Sequence, residues 1–489
     1  MPAVEDTLTA AETALAEAVV KGEWYDAGGE PVRGAVLRRM LLGGFAWPGG
    51  EPDPRGIRLR NAELRGGLDL SEVETRLPLQ LIDCRTSEPV LLTGAHLSTV
   101  DLSGLVGHNV VAVEARFDRA LLLLGARLRA GTADGVLNLA GASVGSVVDV
   151  SGAHLISTHP EAPAFHGNNL VTGAGVFLNR GFRAEGGGPL GTIRLSGARI
   201  GGQLNLGGAW LVNAEGPTLV GDYLCTRSNL MLNQGFHAEG RHENGTLRLV
   251  GAEIGGRFAG EDGHAFAAEP RDLVLNLGQV RVAGTVQLPA SFTPGLVQLD
   301  GLTYTGVPRR TELAEWLDLL AHRTSHYASQ PYLQLAEAHR AAGNERDVRR
   351  IHLARQRDLL RRGHLPPGGR LWHRVAGLTV GYGYRPAVAL VWWAGVVALS
   401  VLLVAGIAGP AGLAVHIGQS GRCTLVEQVG LALNTATPLV KTEMQQRCQL
   451  DPAGAGGVLV AASWVLQALA WAFVTLFVAG FTGLVRKPG

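Results

Sequence analysis

The chain has 489 residues and a formal net charge of +1, which allows several domains and gives no basic field that would attract nucleic acid or acidic substrates. Its 68 glycines, without a Gly-X-Y period, exclude collagen and favour many tight turns. Four cysteines, Cys84, Cys225, Cys423 and Cys448, are too few and too scattered for a disulfide scaffold or a four-thiolate metal site.

The N-terminal region, residues 1–50, is predicted to be helical. It carries acidic residues early and lacks the charged-then-apolar pattern of a signal peptide. The stretches TAAETALAEAVVKG and VRGAVLRRMLLGG are typical of helices. We expect them to cap one end of the domain that follows, because the open ends of stacked strands have to be covered.

Internal repeats dominate residues 51–305. GTIRLSGARIGG at 191–202 returns 54 residues later as GTLRLVGAEIGG, and LNRGFRAEG at 178–186 returns at the same spacing as LNQGFHAEG. Short alternating runs bounded by glycine, such as Leu204-Asn205-Leu206, predict very short strands with apolar residues on one side. Helices are disfavoured here because each interior glycine costs about 1 kcal/mol relative to alanine.

Such strands cannot bury a core singly, whereas stacked coils can. The sequence therefore predicts a mainly β protein, a parallel β-helix solenoid over residues 51–305 with an apolar interior and a polar exterior. With roughly two to two-and-a-half coils in each 54-residue unit and about 4.8 Å per coil, it would be on the order of 50 Å long. The stretch Thr311–Tyr327 is suited to capping its second end.

The pattern becomes helical from Pro331, and residues 306–375 are predicted to form a connector. Two helices separated by Gly343-Asn344 give a hairpin that resembles one tetratricopeptide unit. A single unit is interpreted as a connector, with a peptide groove as the alternative.

The connector is rich in arginine. At a membrane surface each arginine would contribute on the order of 1 kcal/mol of attraction to anionic lipid head groups. The alternative, that these charges act only as a topology signal, stays open. The predicted lipid-facing residues are Arg349, Arg350, Arg355, Arg357, Arg361, Arg362, Arg370 and Arg374.

Residues 376–489 are predicted to form a membrane anchor. Two uncharged stretches, Ala387 to Gly409 and Gly456 to Val485, each exceed the roughly 20 apolar residues that cross a bilayer. The alternative is a pair of buried helices in a soluble domain.

Charge predicts the orientation of these spans. Arginines precede the first span, Arg486 and Lys487 follow the second, and the loop between them carries only Arg422, Lys441 and Arg447. Positive flanks stay inside, so both termini and the solenoid should be cytoplasmic and the loop external. The loop cysteines, Cys423 and Cys448, would then share an oxidising compartment, which predicts a disulfide between them, with two free thiols as the alternative.

The stretch Thr379 to Gly383 spells Thr-Val-Gly-Tyr-Gly, the selectivity filter of potassium channels. A filter lies between two spans, whereas this stretch precedes the first. We interpret it as a break between helices at Gly377, Gly381, Gly383 and Pro386.

The sequence does not support any catalytic motif. The sequence has no GxGxxG between a strand and a helix and no CxxC. GASVG at 141–145 matches a nucleophile elbow, yet the slot of Ser143 holds Arg199 and Glu253 in the other copies. His237-Ala238-Glu239 resembles a zinc-deaminase HxE but lacks the PCxxC partner. No catalytic, cofactor-binding or metal site is predicted, and no cofactor.

Several motifs together carry a family resemblance: the LxGAxIGGxLxL repeats, QPYLQLAEAHRAAGNE, VGYGYRPAVALVW, a TPLV segment and AGFTGLVRK. This combination resembles a family of bacterial membrane-anchored pentapeptide-like repeat proteins, commonly labelled "membrane-associated oxidoreductase". The resemblance implies a bacterial cell membrane and, by its label, a redox activity, but it brings no catalytic residue set. The strict A(D/N)LXX pentapeptide is absent, so a wider or less regular coil is expected.

The preferred functional hypothesis is a membrane-anchored cytoplasmic scaffold that binds a protein partner on the solenoid surface. One alternative is an oxidoreductase whose cofactor site the spacing does not reveal. A second is a two-span subunit that oligomerises around a pore, with the loop segment LNTATPLVKTE re-entering the membrane. The predicted partners are the lipid bilayer and a protein, and nucleic acid is not among them.

Overall fold

The computed structural model describes residues 7–269, 272–380, 387–417, 421–437, 447–453 and 456–481. The chain divides into two compact units, residues 1–348 and 349–489. The predictions on Gly381, Gly383, Arg385, Pro386, Lys441, Arg486 and Lys487 lie outside the described residues, as does the predicted end of the second span at Val485.

The first unit begins with two helices, α1 (Ala10–Lys21) and α2 (Gly34–Leu41). Helix α1 starts with a capping box, in which Glu12 N donates to Thr9 Oγ1 and Thr9 N donates to Glu12 Oε2. Helix α2 packs against the first strands, where Arg38 Nη1 donates to Asp69 O at 2.6 Å.

Four parallel sheets, A to D, follow within the described residues, consistent with the predicted β-helix. Residues 57–304, the solenoid, place successive strands in sheets A, B, C and D in rotation. Sheet A contains Tyr25–Asp26, Ile57–Arg60, Leu79–Ile82, Val100–Asp101, Leu121–Leu122, Val148–Asp149, Val176–Phe177, Leu204–Asn205, Leu230–Met231, Phe258–Ala259 and Val286–Gln287. Sheet B contains Pro31–Arg33, Glu63–Arg65, Arg85–Thr86, Val106–Gly107, Arg127–Ala130, His154–Ser157, Arg183–Gly186, Trp210–Asn213, His237–Gly240 and His264–Ala267.

Sheet C contains Leu68–Asp69, Val90–Leu91, Val110–Val111, Leu137–Asn138, Phe165–His166, Ile193–Arg194, Leu219–Val220, Leu247–Arg248, Leu273–Asn276 and Leu296–Gln298. Sheet D contains Glu74–Thr75, His96–Leu97, Arg116–Phe117, Ser143–Val144, Val171–Thr172, Arg199–Ile200, Cys225–Thr226, Glu253–Ile254, Arg281–Val282 and Thr303–Tyr304.

The core of the solenoid is a set of apolar columns. Along sheet A, Val100 pairs in register with Leu121, Leu121 with Val148 and Val148 with Val176, and all four are fully buried. Because each strand hydrogen-bonds to the coil before and the coil after it, stacking satisfies the backbone while it buries the apolar side chains.

The 54-residue repeat corresponds to two coils, since Leu204 pairs with Leu230 and Leu230 with Phe258. The later coils are longer because residues are added at the corner between sheets B and C. That corner is stabilised by buried polar side chains, among them Asn213, whose Nδ2 donates to Gly188 O and to Pro217 O, each at 3.0 Å.

Glycine is required at the corner that follows sheet D. A Cβ on Gly201 would collide with the carbonyl oxygen of Gly173 in the preceding coil, and one on Gly255 would collide with Arg227 O. This close approach of two coils explains why GARIGG and GAEIGG both end in glycine.

Two helices follow the last strands, α3 (Leu313–His322) and α4 (Gln330–Ala341). Trp316 of α3 is buried and lies 6.3 Å from the Tyr304 ring. Gln334 Nε2 of α4 donates to Tyr304 O at 2.7 Å. Gly343 and Asn344 then separate α4 from α5 (Glu345–Arg362).

The second unit contains α6 (Pro367–Val380), α7 (Ala387–Val401), a π-helical segment (Leu402–Ala408), α8 (Leu425–Ala436) and α9 (Gly456–Phe481). Ala414–His416 and Cys448–Leu450 form a short antiparallel pair. Two stretches, Ala387–Ala408 and Gly456–Ala479, are long and apolar enough to cross a membrane. The expected break at Gly377 is wrong, because that residue lies inside α6.

Candidate functional site

The outward face of sheet B carries a cluster of flat side chains on three successive coils. Trp210 pairs in register with His237 and His237 with His264, while Glu239 pairs with Phe266 in the neighbouring row. These five residues, the aromatic–histidine patch, face outward because the residues between them, such as Leu211 and Ala238, face the core and are fully buried.

The rings of the patch are in contact. The Trp210 and His237 rings stack with centroids 3.8 Å apart and planes 15° apart. Phe266 lies 5.5 Å from His237 and 6.4 Å from His264, again between ring centroids. Parallel strands make such stacking possible because they hold equivalent side chains about 4.8 Å apart on adjacent coils.

The central histidine of the patch, His237, lies in a partly buried environment. Burial lowers the pKa of His237, the nearby His264 lowers it further, and Glu239 opposes both. Among the described residues, His237 Nε2 has no hydrogen-bond partner, and Glu239 Oε2 lies 3.9 Å away. Trp210 remains 47% exposed. The result is a flat, largely apolar surface with polar groups at its edge.

The sequence indicated His237 and Glu239 only as part of a metal motif. The structure places them in adjacent rows of the patch with His264 on the next coil, but these three are not among the groups of described residues close enough to share a metal ion. The sequence signal for the patch is that Trp210, His237 and His264 are each one coil apart. Once the length of the coil is known, this spacing predicts that their rings stack.

A second polar cluster lies on the outward face of sheet C. Arg248 pairs with Asp222, with Nη2 and Oδ2 2.6 Å apart. Two coils away, Arg194 Nε is buried without a hydrogen-bond partner among the described residues. Burial, followed by the charge of Arg248, lowers the pKa of Arg194. Arg194 and Arg248 thus bring two cations to this face with one nearby carboxylate.

Two further residues that could act as nucleophiles are Ser143 and Cys84. Ser143 is on the outward face of sheet D, in register with Arg116 and Val171. Cys84 is fully buried, and burial raises the pKa of its thiol to about 11, so the nucleophilic thiolate is disfavoured.

In the second unit the structure joins Cys423 to Cys448, with Cα atoms 6.2 Å apart. His416 Nε2 lies 3.2 Å from Glu427 Oε2 beside this bridge. These two side chains and the Cys423 sulfur are close enough to share a metal ion, but a disulfide sulfur is not the thiolate that binds metals.

The predicted lipid-facing arginines lie on two helices, six on α5 and Arg370 and Arg374 on α6. Asp358 is buried and pairs with Arg361 at 3.1 Å and with Arg362 at 2.6 Å. Those two arginines therefore have a neutralising partner in α5 itself, which reduces the charge that this helix presents.

Comparisons of the chain with known protein families, with characterised proteins and with solved structures found no match. The features of the chain that indicate a function are therefore the aromatic–histidine patch, the arginines and the two long apolar helices.

Proposed function

We propose that the chain is a membrane-anchored scaffold whose solenoid binds a protein partner. Helices α1, α2 and α3 act as its caps, and α4 with α5 connects it to α7 and α9, which span the membrane. One observation carries the proposal. The inward-facing side chains of the sheets are uniformly apolar and buried, whereas the outward-facing side chains vary and include the exposed aromatic–histidine patch.

The patch has the composition of a protein-binding hot spot. Tryptophan, tyrosine and arginine are enriched in the few interface residues that carry most of the binding energy, and the patch offers the first of these. Trp210 offers a large, half-exposed ring that its contact with His237 holds in place. A flat, largely apolar surface of this kind, with the carboxylate Glu239 beside it, favours a protein partner over nucleic acid, which would need clustered cations.

The two helices that are long and apolar enough to cross a bilayer, together with the distribution of arginine, support the membrane location. Clustered arginines before the first span favour a cytoplasmic solenoid, and the resemblance of the sequence motifs favours a bacterial cell membrane. The exposed members of the cluster on α5 and α6, such as Arg357 and Arg370, contact anionic lipid head groups.

Fractionation tests the anchor. The full chain should sediment with membranes and resist extraction by high salt, whereas a variant that lacks residues 387–485 should be soluble and unfold cooperatively. A truncated chain that aggregates, or a full chain that salt releases, would contradict the anchor.

Photo-crosslinking tests the patch. A photoreactive amino acid in place of Trp210 should give one discrete adduct in intact cells of the source organism, while the same probe in place of Val171, equally exposed but on sheet D, should not. Equal labelling at both positions, or none at either, would contradict a specific partner on this face. Bound flavin or haem in the visible absorbance spectrum of the purified chain would instead favour the oxidoreductase alternative.

A further inference from the structure

We propose that Arg194, His166 and Asn168, on the outward side of sheet C, form a binding site for a small carboxylic acid. Such a site is a function beyond the scaffold and does not depend on it, because it lies on a different face of the solenoid from the aromatic–histidine patch. Two equivalent positions of the 54-residue repeat differ in one functional group, and that difference points to the ligand.

In the later copy of the repeat the arginine has a carboxylate partner. Asp222 and Arg248 form a bidentate ion pair, in which Arg248 Nε donates to Asp222 Oδ1 at 3.1 Å and Nη2 lies 2.6 Å from Oδ2. Asp222 Oδ1 also accepts a hydrogen bond from Val250 N at 3.2 Å, which holds the carboxylate in place. A planar carboxylate matches the fork of a guanidinium, so this pair shows what an arginine of this row binds.

In the earlier copy an amide stands in the place of the carboxylate. Asn168 and Arg194 precede Asp222 and Arg248 by 54 residues each. Asn168 Oδ1 accepts a hydrogen bond from Ser196 N at 3.1 Å, the counterpart of the backbone bond to Asp222. Because Oδ1 is engaged in this way, the other amide atom, in the place of Asp222 Oδ2, is the NH2 group. A donor at that position cannot pair with the donors of a guanidinium.

Arg194 therefore lacks the partner that its counterpart has. Its Nε is buried and has no hydrogen-bond partner among the described residues. Its neighbours in the outward row are His166 on the preceding coil and Val220 on the following coil, and neither is a carboxylate. A charged donor that is buried without an acceptor destabilises the fold. The oxygen atoms of a bound carboxylate would remove that cost.

His166 adds a further donor to the site. It pairs in register with Arg194, at the position that the apolar Val220 holds beside Arg248 in the later copy. Burial, followed by the charge of Arg194, lowers the pKa of His166. The ring is therefore neutral near pH 7, and one of its nitrogens is a donor. Together the three side chains offer several donors and a single positive charge.

The charge and the depth of the site favour a small monoanion. Asp222 neutralises Arg248, so the charge of Arg194 is the one that a ligand has to balance, and one carboxylate balances it. This face is also recessed, since the exposed fraction of the Arg248 side chain is 28%, against 74% for Arg281 on sheet D. Arg194 itself is partly exposed. A small ligand reaches a recessed guanidinium more easily than the surface of a large protein does.

Ligand-observed saturation-transfer NMR tests the site, with acetate as the probe. Acetate should receive saturation from the full chain in detergent micelles. Asn168→Asp should weaken acetate binding by about tenfold, because the new carboxylate takes the place beside Arg194. The same substitution should raise the thermal midpoint of the solenoid, which a misfolded variant would not do.

Two further variants define the specificity of the effect. Arg194→Gln removes the guanidinium and should also abolish the transfer to acetate. Arg199→Gln, at an exposed arginine on sheet D of the same coil, is the matched control and should bind acetate as the parent does.

The opposite outcomes are equally clear. A parent chain that transfers no saturation to acetate, or an Asn168→Asp variant that binds acetate as well as the parent, overturns the site. A loss of binding in Arg199→Gln as large as that in Arg194→Gln, or equal competition by chloride, would show a general attraction of anions and overturn the carboxylate assignment. None of these results affects the scaffold, which is tested by crosslinking at Trp210.

Discussion

Arg33 and Glu12 form an ion pair between the first strand of sheet B and α1, with Nη2 and Oε2 2.5 Å apart. The Glu12 side chain is fully buried, and it also accepts hydrogen bonds from the backbone of Thr9 and of Arg33. A carboxylate that is removed from water in this way needs every one of these partners. The pair therefore fixes α1 to the beginning of the solenoid.

Glu12→Gln should weaken the attachment of α1. The amide keeps the shape of the carboxyl group but loses the charge opposite Arg33, so the free energy of unfolding should fall by roughly 1.5–3 kcal/mol, the range for hydrogen bonds to charged groups. Urea titration of the detergent-solubilised full chain measures the change. Glu17→Gln, at an exposed position on the same helix, is the control and should be neutral. Equal effects of the two substitutions would contradict a special role for Glu12.

The same residue predicts an acid sensitivity. Burial alone would raise the pKa of Glu12, but hydrogen bonds from Arg33 and Thr9 and the charge of Arg33 lower it from 4.5 to about 2. Because the pKa in the folded state lies below the unfolded value, the stabilisation is fully present above pH 4.5 and is lost as the pH falls towards 2. The free energy of unfolding should depend more steeply on pH across this window in the parent than in Glu12→Gln. Identical pH profiles would show that Glu12 is not the group responsible.

Substitutions of Trp210 and Leu211 test partner binding and stability separately, because these two residues are neighbours on opposite faces of sheet B. Leu211 is fully buried, so Leu211→Ala should cost about 2–5 kcal/mol of unfolding free energy through the cavity it leaves. Trp210→Ala should change stability by less than about 1 kcal/mol, in the range of surface substitutions, while it reduces binding of the partner identified by crosslinking. A large loss of stability with Trp210→Ala would mean that the patch is structural.

Gly201→Ala tests the close approach of two coils. The added methyl group would collide with the carbonyl oxygen of Gly173, a backbone atom that cannot move without disturbing the preceding coil. Overpacking of this kind should cost about 1–3 kcal/mol in urea titrations. Gly187→Ala, at a position where a Cβ meets nothing within 4 Å, is the control and should leave the midpoint unchanged. A neutral Gly201→Ala would show that the coils tolerate a wider spacing there.

Much of the solenoid was predictable because the pattern of neighbouring residues determines it. Alternation such as Leu204-Asn205-Leu206 indicates which side chains face inward, and the repeat interval indicates the combined length of the coils; the four parallel sheets are consistent with both. Alternation does not indicate which outward residues contact each other. Trp210 and His237 stack only because one coil is 27 residues long at that point, and that length depends on the corner between sheets B and C.

The position of α8 was less accessible to sequence reasoning. The charge distribution assigned the stretch between the two spans to an external loop, with re-entry of LNTATPLVKTE held as an alternative, and it did not predict the helix Leu425–Ala436 within that stretch. The hydrogen bond from Trp393 to Ala436 O, which joins residues far apart in sequence, shows where this helix packs against α7.

Reduction of the disulfide gives the last prediction. The bridge closes a loop of 25 residues, which contributes on the order of 3 kcal/mol by restricting the unfolded chain. Cys423→Ser with Cys448→Ser should therefore lower the thermal midpoint of the second unit. Cys84→Ser is unsuitable as a control because Cys84 is buried, whereas Cys225→Ser, at a partly exposed site on sheet D, should leave that midpoint unchanged. Peptide mapping without reduction should recover the two loop cysteines in one linked fragment. Recovery of both as alkylated free thiols from oxidised membranes would contradict the bridge.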